Sequence, residues 1–308
     1  MSFVLKAFQD RENTWRELFH EQMPEMEFHN WPEYGDPEQV EYVALWKPEA
    51  DLATRFPNLK LVFSLGAGVD QFDLSTLPDH VGLVRMIEPG LTQGMIEYVV
   101  AFVLSAHRDL PLYAQQQRGQ VWRTWPERQA AQTRVGIMGL GTLGVPCAQA
   151  IANLGFPTLG WNRSPRDIDG VQVFHGADTL DAFLAQTDIL VCLLPLTDET
   201  RGMFNRTLFA KLPAGATLIN AGRGPQVVGE DLIEALDSGH LKWAILDVTD
   251  PEPLPESDPL WDHPQVVITP HIASNTRPDT GVASIIANIR RHRSGQPPEG
   301  LVDRSKRY

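Results

Sequence analysis

Only two cysteines, Cys147 and Cys192, occur in 308 residues. Neither lies in a CxxC pair or beside a histidine pair, which argues against a disulfide scaffold or thiolate metal site and for buried, reduced thiols; no metal is expected. Positive charge is scarce: 26 lysines and arginines stand against 39 aspartates and glutamates, for a formal net charge of −13. That sign repels nucleic acid and anionic membranes, so neither is expected as a partner. Long hydrophobic runs are missing too. The opening MSFVLKAFQDREN lacks the apolar stretch of a signal peptide, and the strongest run, 95–106, is too short to span a bilayer and contains Glu97. The expected location is the cytoplasm. No repeat, low-complexity run or flexible linker interrupts the chain, and its length suits two domains.

What is present is alternation. FVLKAF (3–8), YVALW (42–46) and LKLVFSLG (59–66) read as strands. Asp10 is placed to cap a helix running to Gln22, with Trp15, Leu18 and Phe19 on one face, and a short helix separates the second and third strands. Segment 92–107, TQGMIEYVVAFVLSAH, reads as a long helix that is apolar on most sides, hence buried in a core or a subunit interface. The polar stretch 115–132, with Trp122 and Trp125, reads as an excursion. From Thr133 a second series begins: RVGIM, PTLGWN, VQVF, DILVCLL, ATLIN, WAILDV and VVITP read as strands with helices between most of them. A last helix is expected over 277–293, ending before GQPP. Strand–helix alternation predicts an α/β fold with parallel sheets.

Gly139-Leu140-Gly141-Thr142-Leu143-Gly144 follows an apolar strand and opens an apolar helix. Alone, GxGxxG is weak; in that setting it predicts a dinucleotide turn. The first glycine permits the turn, the second lets the backbone approach a pyrophosphate, and the third lets helix and strand pack closely. The helix N-terminus then offers N–H groups and partial positive charge to the phosphates. About 20 residues on, the carboxylate that would bind the ribose hydroxyls of NAD is absent. Gly160-Trp161-Asn162-Arg163-Ser164-Pro165-Arg166 stands there instead. Arg163, Ser164 and Arg166 suit a 2′-phosphate, so NADP(H) is expected over NAD(H), which is not excluded.

Three polar residues follow apolar strands in order: Arg223 in INAGRGP, Glu252 in LDVTDPEPLP and His271 in ITPHIAS. Reduction of a 2-oxo acid needs its carboxylate anchored, its carbonyl polarised and its developing alkoxide protonated. Arg223 suits the first two through its fork of donors, and Gly222 and Gly224 on either side are expected to leave room for substrate and nicotinamide. His271 is the expected general acid, following Pro270. Glu252 is expected to accept from its second ring nitrogen, fixing the tautomer and favouring the imidazolium.

GLGTLG at 139–144, AGRG around Arg223, LDVTDPEPLP and TPHIA occur in the order found in the D-isomer-specific 2-hydroxyacid dehydrogenases, which this chain resembles over most of its length. VGIMGLG at 135–141, WNRSPR at 161–166, DPLWDHPQVVITPHIA at 258–273 and the terminal VDRSKRY resemble more closely the glyoxylate and hydroxypyruvate reductases within that family. The resemblance implies two Rossmann-like lobes, one flavodoxin-like and one NAD(P)-binding, with a cleft between them. Residues 1–100 plus 276–308 would form the discontinuous substrate-binding lobe, and 101–275 the nucleotide lobe. It implies a homodimer, consistent with the apolar helix at 92–107. It also implies NADPH-dependent reduction of glyoxylate to glycolate and of hydroxypyruvate to D-glycerate.

By the same resemblance, Ser64-Leu65-Gly66-Ala67-Gly68-Val69-Asp70 corresponds to a substrate-carboxylate loop, with Gly66, Ala67 and Gly68 as contacts. Physically, Gly-x-Gly at a strand end can offer N–H groups to an anion. Trp46 either walls off water and limits substrate size or is a core residue. Leu194 and Pro195, Ala221 and Gly222, and Asp247 would lie along the cofactor, the last near the nicotinamide carboxamide. Pro225 and Gln226 after the arginine, and ASNTRP after the histidine, depart from the wider family. A bulkier 2-oxo acid, a non-catalytic nucleotide sensor and a methyltransferase stand as the alternatives.

Overall fold

The structure, a computed structural model, describes residues 1–7 and 12–304. Phe8 and Asp10, the expected strand end and helix cap, lie outside the described residues. The chain divides into two compact units, Met1–Thr92 with Asn275–Tyr308, and Gln93–Ser274. The first seam falls within a helix at 92/93 instead of at 100.

The first unit contains β1 (Ser2–Lys6), α1 (Glu12–Gln22), β2 (Glu27–Asn30), β3 (Val40–Leu45), α2 (Leu52–Arg55), β4 (Leu61–Ser64) and β5 (Gly82–Val84). Helix α3 (Pro89–His107) begins there and continues into the second unit. The second unit adds α4 (Leu110–Arg118), β6 (Val135–Met138), α5 (Gly144–Asn153), β7 (Thr158–Asn162), β8 (Val171–His175), α6 (Leu180–Leu184) and β9 (Ile189–Cys192). It is completed by α7 (Arg206–Phe209), β10 (Ala216–Asn220), α8 (Gly229–Asp237), β11 (Leu241–Leu246) and β12 (Val266–Ile268), and α9 (Pro278–Arg293) returns to the first unit.

Within the first unit five strands pair in parallel in the order β2-β1-β3-β4-β5, the flavodoxin-like order. Phe3 stacks on Phe19 of α1 at 4.5 Å between ring centroids. Val282, Ile285, Ile286 and Ile289 form one buried stripe on α9, spaced as a helical face requires. A Cβ at Gly281 would come within 3.1 Å of the Trp15 ring, so that glycine sets how closely α9 approaches α1. Strands β2 and β5 escaped the sequence reading. Both are edge strands of three or four residues, too short to carry a period of their own.

Seven parallel strands in the order β12-β11-β10-β9-β6-β7-β8 form the sheet of the second unit. Both faces are covered, as parallel sheets require. Alternation along each strand sorts the side chains: Ile137, Val191, Ile219 and Ile245 join α3 and α5 on one face, while Met138, Cys192, Leu218 and Leu246 meet Phe183, Phe204 and Phe209 on the other. Cys147 and Cys192 are free and buried, and burial pushes both thiols up to about 12, as inert core residues. Helix α4 occupies the start of the expected excursion; beyond it Trp122 is fully exposed.

Phe183 is fully buried, and its ring comes within 2.8 Å of where a Cβ at Gly136 would stand. Phe183→Ala should therefore cost about 3–5 kcal/mol of stability, read as a lowered urea midpoint. An unchanged midpoint would contradict this packing.

Candidate active site

Because β10, β11 and β12 are parallel neighbours, their C-terminal ends share one edge of the sheet. Arg223, Glu252 and His271 all follow those ends. Asn220, fully buried at the end of β10, accepts from Gly222 N–H at 3.1 Å and donates to the Arg223 carbonyl at 3.1 Å. Gln226 is likewise fully buried. Its oxygen accepts from Arg223 N–H at 2.7 Å, and its amide donates to the carbonyls of Leu194 and Pro195, each at 3.1 Å. Gln226 thus binds the arginine's backbone to the end of β9. Sequence reasoning noted it only as a departure; an amide inside the apolar run PQVV was the available signal.

The glycines beside Arg223 let the chain pack closely on itself. A Cβ at Gly224 would lie 1.9 Å from the Thr249 carbonyl, and one at Gly222 would lie 2.4 Å from Gln226 Oε1.

His271 Nδ1 meets Glu252 Oε2 at 2.8 Å, as expected for the pair, and the other carboxylate oxygen accepts from Thr249 N–H at 3.1 Å. Burial alone would push the Glu252 carboxyl up. The hydrogen bond and charge of His271, the Thr249 N–H and the charge of Arg223 outweigh burial, and the net shift is downward. The carboxylate is therefore ionised at neutral pH, so Nδ1 carries the proton of that bond and the ring presents Nε2 on its opposite side. His271 and Glu252 side chains are 29% and 39% exposed, so the pair reaches solvent. His271 itself has φ +53°, a left-handed backbone that a non-glycine residue rarely adopts.

Asp247, expected beside the nicotinamide, is buried. Its Oδ1 accepts from Thr269 Oγ1 at 2.6 Å and Ile272 N–H at 2.8 Å, and its Oδ2 from Ala273 N–H at 2.8 Å. Both oxygens hold the loop that carries His271.

The glycine turn sits between β6 and α5, where the strand order reverses from β6 to β9; ligands of doubly wound sheets bind at such a point. Gly139 has φ +98°, and a Cβ on Gly144 would fall 1.8 Å from the Gly139 carbonyl. A Cβ at Gly141 would meet nothing within 4 Å, so the backbone there faces open space. Thr142 and Leu143 complete the turn, and no side chain caps the start of α5. A dinucleotide pyrophosphate fits these features. Leu194 and Pro195 follow β9. Asn162 ends β7, its amide donating to the Ser164 carbonyl at 3.0 Å, and Arg163, Ser164 and Arg166 are exposed on the turn after it.

In the first unit, the loop after β4 is organised by buried Ser64. Its hydroxyl donates to the Gly68 carbonyl at 3.0 Å and accepts from Gly66 N–H at 3.2 Å. Gly66 N–H is thus taken up inside the loop, a correction to its expected anion contact. A Cβ at Gly66 would strike the Trp46 ring at 2.4 Å, so that glycine seats the indole, which is 37% exposed.

A doubly wound sheet with a glycine turn at its switch point and an arginine, a carboxylate and a histidine on adjacent strand ends defines an oxidoreductase that uses a nicotinamide dinucleotide. Residues 100–273 match the family described as D-isomer specific 2-hydroxyacid dehydrogenase, NAD binding domain. The chain is 41% identical over 295 residues to a glyoxylate/hydroxypyruvate reductase A of Serratia proteamaculans, covering 94% of each. A D-isomer specific 2-hydroxyacid dehydrogenase from Xanthobacter autotrophicus Py2, solved with NADPH and MES, superposes with a TM-score of 0.95 at 41% identity, over 100% of this chain and 99% of that one. An NADPH-dependent glyoxylate/hydroxypyruvate reductase of Sinorhizobium meliloti, solved with NADP and sulfate, gives 0.92 at 39% identity over the whole of both chains. The chain belongs to the D-isomer specific 2-hydroxyacid dehydrogenase family. Among the described residues, no helix is long and apolar enough to cross a membrane.

Glu252 has a depressed carboxyl pKa, so its support of the imidazolium is full above the ordinary carboxyl range and is lost as pH falls through the depressed value. Glu252→Gln removes that support at neutral pH. The alkaline fall of the reduction rate should then begin at lower pH, visible in the pH profile of kcat. A superimposable profile would remove Glu252 from proton delivery.

Proposed function

We propose that the chain is an NADPH-dependent reductase of small 2-oxo acids, converting glyoxylate to glycolate and hydroxypyruvate to D-glycerate. The observation that carries this reading is the 2.8 Å His271–Glu252 pair beside the Arg223 turn on adjacent strand ends. Relatives named for this reaction, at 39–41% identity, support it. A nicotinamide bound along Leu194, Pro195, Ala221 and Gly222 would supply hydride to the substrate C2. Arg223 holds the carboxylate and polarises the carbonyl, and His271 donates the Nε2 proton to the oxygen as it gains charge. Glu252 balances the imidazolium before that transfer.

The first unit serves as the substrate lobe and the second as the nucleotide lobe. Ala67 and Gly68 N–H groups face the substrate anion, while Trp46 limits its size. Arg163, Ser164 and Arg166 hold the 2′-phosphate, which makes NADP(H) preferred over NAD(H). Exposed Leu110, Val121, Trp122 and Trp125 support a homodimer that covers them, and two free thiols suit a cytoplasmic location.

The test is initial rates of nucleotide oxidation with glyoxylate, hydroxypyruvate, pyruvate and a bulky 2-oxo acid, each with NADPH and NADH. The two small substrates with NADPH should be fastest; preference for the bulky acid would overturn the substrate assignment. In a double variant, Arg163→Ala with Arg166→Ala, KM for NADPH should rise about ten- to a hundredfold while that for NADH hardly moves. Equal effects on both would overturn the phosphate assignment.

A further inference from the structure

The strained backbone of His271 has a dedicated support. We infer that Tyr98, Thr269 and Asp247 form a hydrogen-bonded series, buried at both ends, that holds His271 in its left-handed conformation, so that Tyr98 and Thr269 are positioning residues for the proton donor.

A left-handed backbone is costly for a non-glycine residue and persists only where its surroundings impose it. Here the surroundings converge on one residue, Asp247. His271 N–H donates to the Asp247 carbonyl at 2.8 Å and to the Thr269 carbonyl at 3.0 Å. The next two N–H groups, Ile272 and Ala273, each donate to a different oxygen of the Asp247 side chain at 2.8 Å. Three successive N–H groups therefore turn toward one residue, which requires the chain to reverse at His271.

The carboxylate is itself oriented. Thr269 Oγ1 lies 2.6 Å from Asp247 Oδ1, and Tyr98 Oη lies 2.8 Å from Thr269 Oγ1. Thr269 gives Asp247 Oδ1 its single hydroxyl proton, so Tyr98 must donate to Thr269. Burial, the largest influence, pushes the Tyr98 phenol above its usual range, which keeps it protonated as that donor. Tyr98 lies within α3, on the face that packs against the sheet. The series thus anchors the His271 loop to a long helix. Tyr98 is 8% and Asp247 2% exposed. The phenol and the Thr269 hydroxyl act on His271 only through Asp247 and the loop.

The test compares Thr269→Val, which keeps the shape and loses the hydroxyl, with Thr269→Ser, which keeps the hydroxyl, and adds Tyr98→Phe in case the valine variant fails to fold. Two readouts are taken: kcat and KM for reduction, and the proton-NMR resonance of the His271 Nδ1–H shared with Glu252, assigned by its loss in His271→Ala. Thr269→Val and Tyr98→Phe should lower kcat roughly ten- to a hundredfold, as a displaced donor does, with little change in KM. Their Nδ1–H resonance should broaden or vanish, while Thr269→Ser keeps both rate and resonance. Wild-type kcat with the resonance intact in both Thr269→Val and Tyr98→Phe would overturn the inference. So would a kcat loss with the resonance intact, or a serine variant as impaired as the valine one. The rate readout rests on the proposed reduction. If the wild type reduced no 2-oxo acid, that reading would fall, and the resonance alone would still decide the positioning.

Discussion

The 2.8 Å contact between His271 Nδ1 and Glu252 Oε2 is the interaction around which this site is arranged. It orders one ring nitrogen and so fixes the orientation of the other, on the opposite side of the ring. It exists because β11 and β12 are parallel neighbours whose C-terminal ends lie side by side. Each partner is also held from behind: Glu252 by the Thr249 N–H, and His271 by the loop wrapped on Asp247. A proton donor on an exposed loop would lose orientation to rotamer freedom; this one is backed by buried polar groups whose hydrogen-bonding capacity is taken up locally.

Arg223 is supported by the same logic with different residues. Asn220 and Gln226, both fully buried, bind the backbone on either side of it, and Gln226 extends the support to the end of β9. The guanidinium therefore stands on a fixed turn, where its Nη1 donates to the Gly222 carbonyl at 2.8 Å. An unpaired amide at either buried position would cost more than its hydrogen bonds return. The polar residues around this edge of the sheet can thus persist inside a core whose strands are otherwise aliphatic.

The strands of the second unit were legible because both faces of a parallel sheet are buried, which gives continuous apolar runs such as ILVC and ATLIN. The glycine turn was legible because its first and third glycines answer steric demands, the φ of +98° at Gly139 and the 1.8 Å clash that any Cβ at Gly144 would make, while the second leaves the backbone open to a ligand. The His271–Glu252 pair was legible as chemistry, since a histidine donor needs an anionic partner. The supports were not. Gln226, Thr269 and Tyr98 are common residues in apolar runs, and their roles appear only when strands distant in sequence become neighbours. Gly66 was misread as an anion contact because its pairing with the Ser64 hydroxyl depends on the shape of the turn. Edge strands β2 and β5 carried too few residues to show a period.

The central claim is that His271 donates the proton while the rest of the second unit binds the nucleotide independently of it. His271→Ala tests this most directly, with kcat for glyoxylate reduction and the dissociation constant for NADPH measured on the same preparation. The account predicts a kcat lowered about 10²–10⁴-fold with nucleotide binding unchanged. A kcat close to that of the wild type would contradict it.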